Sequence, residues 1–242
     1  MYEPRTYRHW VQGQDLVSFN ALVKETDLYI RASSDLEKSA LKLIVKYRNI
    51  LEAYIKQQPV FATSLVPLSI TEDAPLIIKE MVDSASRVGV GPMASVAGAI
   101  AQFVGEELSF LSPELIIENG GDIYMKSLKD RVIGVYAGDS PLSGKIGLKF
   151  KGEETPLAIC TSSGTVGHSL SFGKADATVV VAKSATLADA AATAIGNIIF
   201  HPDNIPSGIA FAQNTKGLLG VIIIIDDKIG IWGKLRICQI SA

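Results

Sequence analysis

The sequence predicts an α+β fold, and three observations carry that prediction. Segments with strand character come in pairs, two or more helical stretches follow the first pair, and the regular strand–helix alternation of a parallel α/β chain is missing. At 242 residues, with 48% apolar and 20% charged residues, the chain can bury a sizeable core as one large domain or two small ones. Its net charge of −2 leaves no basic footprint, which argues against nucleic acid or an anionic membrane as the main partner. The opening MYEPRTYRHW has charges and a proline where an export signal needs an apolar run. Two cysteines are too few for a disulfide scaffold or a zinc cage, so a reducing cytoplasm is the expected setting.

Taken in order, Leu16–Val23 and Leu28–Ala32 read as two strands around the turn Lys24-Glu25-Thr26-Asp27. Ser34 with Glu37 reads as a capping box before a helix over Asp35–Gln58, ended by Pro59. Leu36, Ala40, Leu43, Ile44, Tyr47, Leu51, Tyr54 and Ile55 keep the helical period and mark its core face. A second helix spans Ala74–Arg87, with Pro75 tolerated in its first turn. The uncharged stretch Val88–Gly105 reaches the lower length limit for a membrane span, but its glycines, proline, serine and glutamine favour a buried helix against which something packs closely. Strands follow at Glu114–Glu118, Ile123–Lys126, Val132–Ala137, Lys145–Phe150, Leu157–Thr161 and Ala177–Val181. A helix over Thr186–Phe200 and a short one near Ser207–Asn214 precede strands at Leu218–Ile225, Lys228–Trp232 and Leu235–Ile240. The order of elements suggests one domain over 1–242 built from two similar halves, with a boundary near 110–130.

Several short segments could carry chemistry. Glu118-Asn119-Gly120-Gly121-Asp122 reads plainly as a hairpin turn, and alternatively as a place where backbone amides approach a ligand with no Cβ in the way. Thr161-Ser162-Ser163-Gly164-Thr165 is either a polar loop or a run of small donors for a phosphate, without the lysine of a P-loop. Asp189 and Thr193, one turn apart, could both reach a hard cation such as Mg²⁺; the plainer alternative is a polar helix face. His168 lies close in sequence to the hydroxyl loop, where proton transfer is one reading and a surface or hydrogen-bonding residue the plainer one, whereas His9 and His201 are incidental. Cys160 could be a nucleophile beside His168, but a small apolar residue ending a buried strand is the stronger reading.

Together these motifs resemble the ApbE-type flavin transferases and, more closely, an uncharacterised family distantly related to them. The second likeness runs through VGPMASVAG, ENGGDIY, ICTSSGTVGHSLSFGKAD and LADAAATAIGN. The resemblance implies a duplicated T-fold with a ligand cleft between its halves. It further implies Mg²⁺ and FAD, with FMN passed to a threonine of a protein acceptor. The transferases' ADxxxTA motif falls on Ala188–Ala194, which would make Asp189 and Thr193 metal ligands. Their glycine-rich GGIAKG segment falls on Gly91–Val96, with the Ala94 carbonyl as a third ligand. Their TSG matches Ser162-Ser163-Gly164, their GGD matches Gly120-Gly121-Asp122, and His168 corresponds to the histidine of their SHIIDP motif.

The sequence also departs from that pattern. Ser95 replaces a lysine, Glu118 replaces an asparagine, and Ser171 and Phe172 replace the aspartate and proline after the histidine. Two functions therefore remain in contention: a Mg²⁺-dependent enzyme that cleaves FAD or a related dinucleotide, or transfers FMN, and a non-catalytic protein that holds a flavin, pterin, purine or other nucleotide. A thiol enzyme using Cys160 is a third.

Overall fold

The computed structural model describes Arg8 and residues 15–166 and 171–240. Strands β1 (Val17–Val23) and β2 (Thr26–Ala32) form the expected hairpin, turning at Lys24, which takes φ +53°. Helix α1 (Glu37–Gln57) follows, but the expected capping box does not form: Leu36 occupies the N-cap and Asp35 Oδ1 accepts the Glu37 N–H. The helix starts two residues later than the pattern suggests, which leaves Ser34 too far ahead to cap it. Ala40, Ile44, Tyr47 and Leu51 point into the core, while Leu36, Leu43, Tyr54 and Ile55 pack at its margin. A single-turn helix, α2 (Val60–Thr63), leads on to α3 (Leu76–Val88).

The uncharged stretch is broken rather than one continuous helix. Gly89 ends α3 at φ +77°, a 3₁₀ turn covers Pro92–Ser95, and α4 (Val96–Leu108) leaves at 104° to α3. Gly91 is confined here because a Cβ would fall 1.8 Å from the Ser64 carbonyl oxygen. Among the described residues no single helix is long and apolar enough to cross a membrane. The bent pair over Leu76–Leu108 meets the test by length and composition, and most of α4 is core.

The remaining elements are β3 (Leu115–Asn119), β4 (Asp122–Lys126), β5 (Arg131–Gly134), β6 (Ile146–Phe150), β7 (Leu157–Ser162), β8 (Ala177–Ala182), α5 (Ala185–Gly196), α6 (Ile205–Asn214), β9 (Leu218–Ile225), β10 (Lys228–Gly233) and β11 (Arg236–Gln239). Eight strands form one antiparallel sheet in the order β1-β2-β3-β4-β7-β8-β9-β10, and β11-β6-β5 form a second. Along the large sheet the order strand pair, helices, strand pair occurs twice, with α1 to α4 between β2 and β3 and α5 and α6 between β8 and β9.

All the helices pack on one face of the large sheet and the three-stranded sheet covers part of the other. Leu115 and Ile117 of β3 thus face the helices while Ile116 joins Leu148, Phe150 and Ile222 on the opposite side. A strand covered on both faces needs apolar residues at successive positions, which is why Leu115–Ile117 of β3, Val179–Ala182 of β8 and Val221–Ile225 of β9 read as hydrophobic runs.

Candidate functional site

The site lies where β4 meets β7 and where α4 and α5 run together above them. Asn119 pairs with Asp122 across a two-residue loop, and Gly120 and Gly121 take φ +65° and +106°. Both values favour glycine, so the plain reading of ENGGD as a hairpin turn is correct. Its position is informative as well. The β4–β7 register sets Ile123 opposite Ile159, and a Cβ on Gly121 would lie 3.7 Å from the Thr161 carbonyl. The diglycine turn and the hydroxyl loop, about 40 residues apart in sequence, are therefore neighbours at one rim of the sheet.

Helix α5 brings in the acid. Asp189 Oδ2 accepts the Gly98 N–H of α4 at 2.9 Å, and Asn119 Nδ2 donates to the adjacent Ala97 carbonyl at 3.0 Å. The contact requires glycine at 98, since a Cβ there would sit 2.4 Å from the Ala185 carbonyl oxygen and 2.8 Å from Asp189 Cβ. Small residues elsewhere make the approach general: Ala185, Ala188, Ala190, Ala191 and Ala192 are all fully buried. The 3₁₀ turn carrying Ala94 packs on α5, so Ala94, Asp189 and Thr193 belong to one interface. Ala94 and Thr193 are half-buried.

Two carboxyls dominate the electrostatics. Burial raises Asp122 well above the usual carboxylate range, and the charges of Asp189 and Glu118 push the same way against the Cys160 thiol and the Thr161 N–H. Asp189 keeps some surface on solvent, yet the apolar mass around its carboxyl raises it too, against the N–H groups of Gly98 and Ala97. Among the described residues no lysine, arginine or histidine contributes to either group. Desolvated carboxyls without a compensating cation form a donor set that suits a hard divalent ion with oxygen ligands. Mg²⁺ keeps several waters in its shell, and Asp189, the Thr193 hydroxyl and the Ala94 carbonyl are the oxygens of this interface that could hold such an ion. Among the described residues no group of three His, Cys, Asp or Glu side chains gathers to hold a metal.

Cys160 is fully buried within β7, its thiol directed to the Ala185 carbonyl at 3.5 Å. Burial first, then the charges of Asp122 and Asp189, hold its pKa well above that of a free thiol. A thiolate nucleophile needs the opposite surroundings, so the thiol-enzyme reading fails.

The hydroxyl loop is internally organised. Ser163 Oγ accepts the N–H groups of Thr165 and Val166 at 3.1 and 2.9 Å, the Gly164 N–H bonds the Ala175 carbonyl, and the Thr165 hydroxyl donates to Asp176. Ser162 is buried at the strand end, within 3.6 Å of where a Gly196 Cβ would stand. His168 lies outside the described residues.

Two departures from the transferase pattern acquire a physical meaning. Glu118 does not confront the site as a bare charge, because Arg8 pairs with it at 2.6 Å. Ser95 is fully buried, donating to the Pro92 carbonyl at 2.7 Å, so no charged group stands in its place. Residues that the sequence did not single out are Gly98 and Gln102, and it marks Asn119 only as part of the turn. Gln102 Oε1 accepts the Ala185 and Thr186 N–H groups at 2.8 and 3.4 Å, closing the start of α5 from α4. Only the small-residue character of α4 hinted at this closeness.

A family model described as AbpE bacteria matches residues 8–224. The chain belongs to this family. The UPF0280 protein of Methanocaldococcus jannaschii is 42% identical over 220 residues, 88% of this chain and 89% of the relative. That of Methanococcus vannielii is 44% identical over 227 residues, 91% and 92% of the two chains. Among solved structures, the Pseudomonas stutzeri flavinyl transferase ApbE in its apo form aligns at TM-score 0.60 and 12% identity, covering 90% of this chain and 93% of that one. The flavin transferase ApbE of Vibrio cholerae aligns at TM-score 0.58 and 13% identity, covering 90% and 96%. At such identities the likeness establishes the fold, and the ApbE-like α+β architecture expected from the sequence is the one observed.

Proposed function

We propose that this protein binds FAD or a related dinucleotide together with Mg²⁺ at the junction of α4, α5 and the β4–β7 rim, and acts on the pyrophosphate. The observation that carries the reading is the desolvated pair Asp122 and Asp189, with no cation among the described residues contributing to either, beside a diglycine turn and a hydroxyl loop. Asp189, Thr193 and the Ala94 carbonyl would hold the metal, which supplies stabilisation of charge developing on phosphate oxygens. Gly120, the more exposed of the two turn glycines, allows close approach of the phosphates, while Gly121 and Asp122 shape the turn. Ser162, Ser163, Gly164 and Thr165 line the opposite side of the same rim. His168 would move the proton that cleavage requires. An acceptor protein carrying the threonine that receives FMN completes the transferase version of this reading.

The buried Ser95 favours a second reading, in which the site holds a flavin, pterin or purine ligand without turning it over, because no charge stands there to neutralise a phosphate. One experiment separates the two: titration with FAD and Mg²⁺ followed by flavin fluorescence, with chromatography for AMP and FMN. Mg²⁺-dependent AMP release that disappears in Asp189→Ala establishes the enzyme. Saturable binding of unchanged FAD establishes the binding protein, and full activity in Asp189→Ala removes the metal from the account.

A further inference from the structure

The ion pair on the rear of the sheet has a consequence for the site on its front. Strand alternation places Ile117, Asn119 and Asp122 on the helix side of β3 and β4, and Ile116, Glu118 and Ile123 on the other. Glu118 is buried there, and its two carboxylate oxygens have different partners. Oε2 accepts Arg8 Nε at 2.6 Å, whereas Oε1 reaches around the turn to accept the Gly121 N–H at 2.9 Å.

Arg8 is itself fixed from several directions. Its guanidinium donates to the Asp27 carbonyl at 3.0 Å, pairs with the Asp27 carboxylate at 3.1 Å, and lies 5.5 Å from the centre of the Tyr29 ring. Arg31 Nη2 donates to the Arg8 carbonyl at 3.0 Å, so the backbone is held as well as the side chain. A buried carboxylate that loses a counter-charge as close as this one is costly to keep in place, and it tends to reorient or draw in water. Reorientation here would release the Gly121 N–H, and with it a side-chain acceptor that fixes the turn from behind. The charge of Glu118 also acts on Asp122, and Arg8 offsets it from the rear face.

We propose that Arg8 and Glu118 are positioning residues: from the rear face they hold the diglycine turn, and through it Asn119 and Asp122, in the arrangement that the front-face site uses. The ligand-binding part of this proposal rests on the function proposed above; the mechanical part does not. It makes residue 8, more than a hundred positions from the turn, a component of the site.

The test compares the full-length protein with Arg8→Met, Arg8→Lys and the double variant Arg8→Met/Glu118→Gln. Solvent exchange of the Gly121 amide is followed by NMR, and the Kd for FAD is measured in excess Mg²⁺. In Arg8→Met the Gly121 amide should exchange about tenfold faster and the FAD Kd should rise about tenfold, as expected for losing one charge-assisted contact. The double variant should return both to within about threefold of the parent, because a neutral glutamine still accepts the Gly121 N–H and needs no counter-charge. Should Arg8→Met fail to fold, Arg8→Lys keeps the charge but cannot span Glu118 and Asp27 together, and the same two shifts are expected at smaller size. Unchanged Gly121 exchange in a folded Arg8 variant overturns the proposal, as does a lowered melting temperature with exchange and Kd both unaltered. If the parent binds no FAD, the functional reading fails, and amide exchange alone decides whether the ion pair holds the turn.

Discussion

The two helical layers of this molecule are built from different materials. Beneath the first strand pair, α1, α3 and α4 bury large side chains: Ile44, Tyr47, Met81, Phe103 and Leu108, with Tyr47 and Phe103 in edge contact at 5.3 Å. Beneath the second, α5 is half alanine and is enclosed by α3, α4, β7 and β8. Large side chains hold helices apart and stabilise by the apolar area they remove from water. Alanine gives up much of that area but lets backbones meet, and that is how a Gly98 N–H reaches an Asp189 carboxylate. The first layer supports the fold, and the second creates a place where carboxyls and main-chain groups converge.

The comparison breaks first on Phe103→Ala, which should cost about 3–5 kcal/mol in urea unfolding while leaving the Mg²⁺ affinity of the folded protein intact. Equal losses of stability and affinity would show that the two layers are not separable. Mg²⁺ itself gives the next effect. At a hundred times its Kd it should raise stability by about 2.7 kcal/mol, and Asp189→Asn should abolish that gain while leaving the metal-free protein folded. A melting temperature that rises equally with Mg²⁺ in both proteins would place the ion elsewhere.

Gly98→Ala sharpens the contrast from the alanine side. Its Cβ meets the Ala185 carbonyl, so overpacking should cost about 1–3 kcal/mol, and unlike Phe103→Ala it should weaken Mg²⁺ binding as α4 and α5 separate. Unchanged affinity would show that the helices part without disturbing the ligands.

The smallest effect comes from the polar junction between the two strand groups, where Glu114 bonds Ser127, Arg131 and the Leu128 N–H. Burial opposes ionisation of Glu114, but these three partners outweigh it and hold the carboxyl below the ordinary glutamate range. A lowered folded pKa means a contribution present in full above the unfolded value, about 4.3, and lost as pH falls through the folded one. Glu114→Gln should therefore cost about 1 kcal/mol at pH 7, with the gap from the parent closing below about pH 4. Urea midpoints measured between pH 7 and pH 3 check this, and a gap independent of pH would assign the cost to lost hydrogen bonds rather than to charge.

Local pattern located most elements because their signals act over a few residues. Pro75 and Pro59 marked helix ends, Gly-Gly marked the β3–β4 turn, and the apolar runs marked strands within a few positions. It failed at Ser34, where a capping signature lost to Asp35, and over Val88–Gly105, where Gly91 had to clear the Ser64 carbonyl and the chain bent. Neither competing contact is visible in a sequence window. The same limit applied to the site. The spacing of Asp189 and Thr193 is local and could be read, whereas the approach of Asp122, Gly98 and Asn119 depends on strand register and helix depth.

The sequence by itself therefore determined the α+β class, the order of its strands and helices, and the segments with chemistry to offer, because period, turn residues and side-chain type are properties of neighbouring positions. Only the tertiary structure decided that the diglycine turn meets the hydroxyl loop, that Asp122 and Asp189 share one desolvated region, and that Glu118 is answered by Arg8. Those depend on a β4–β7 register and an α4–α5 contact across dozens of residues. There the surrounding apolar mass, rather than the residues themselves, sets how much each charge costs.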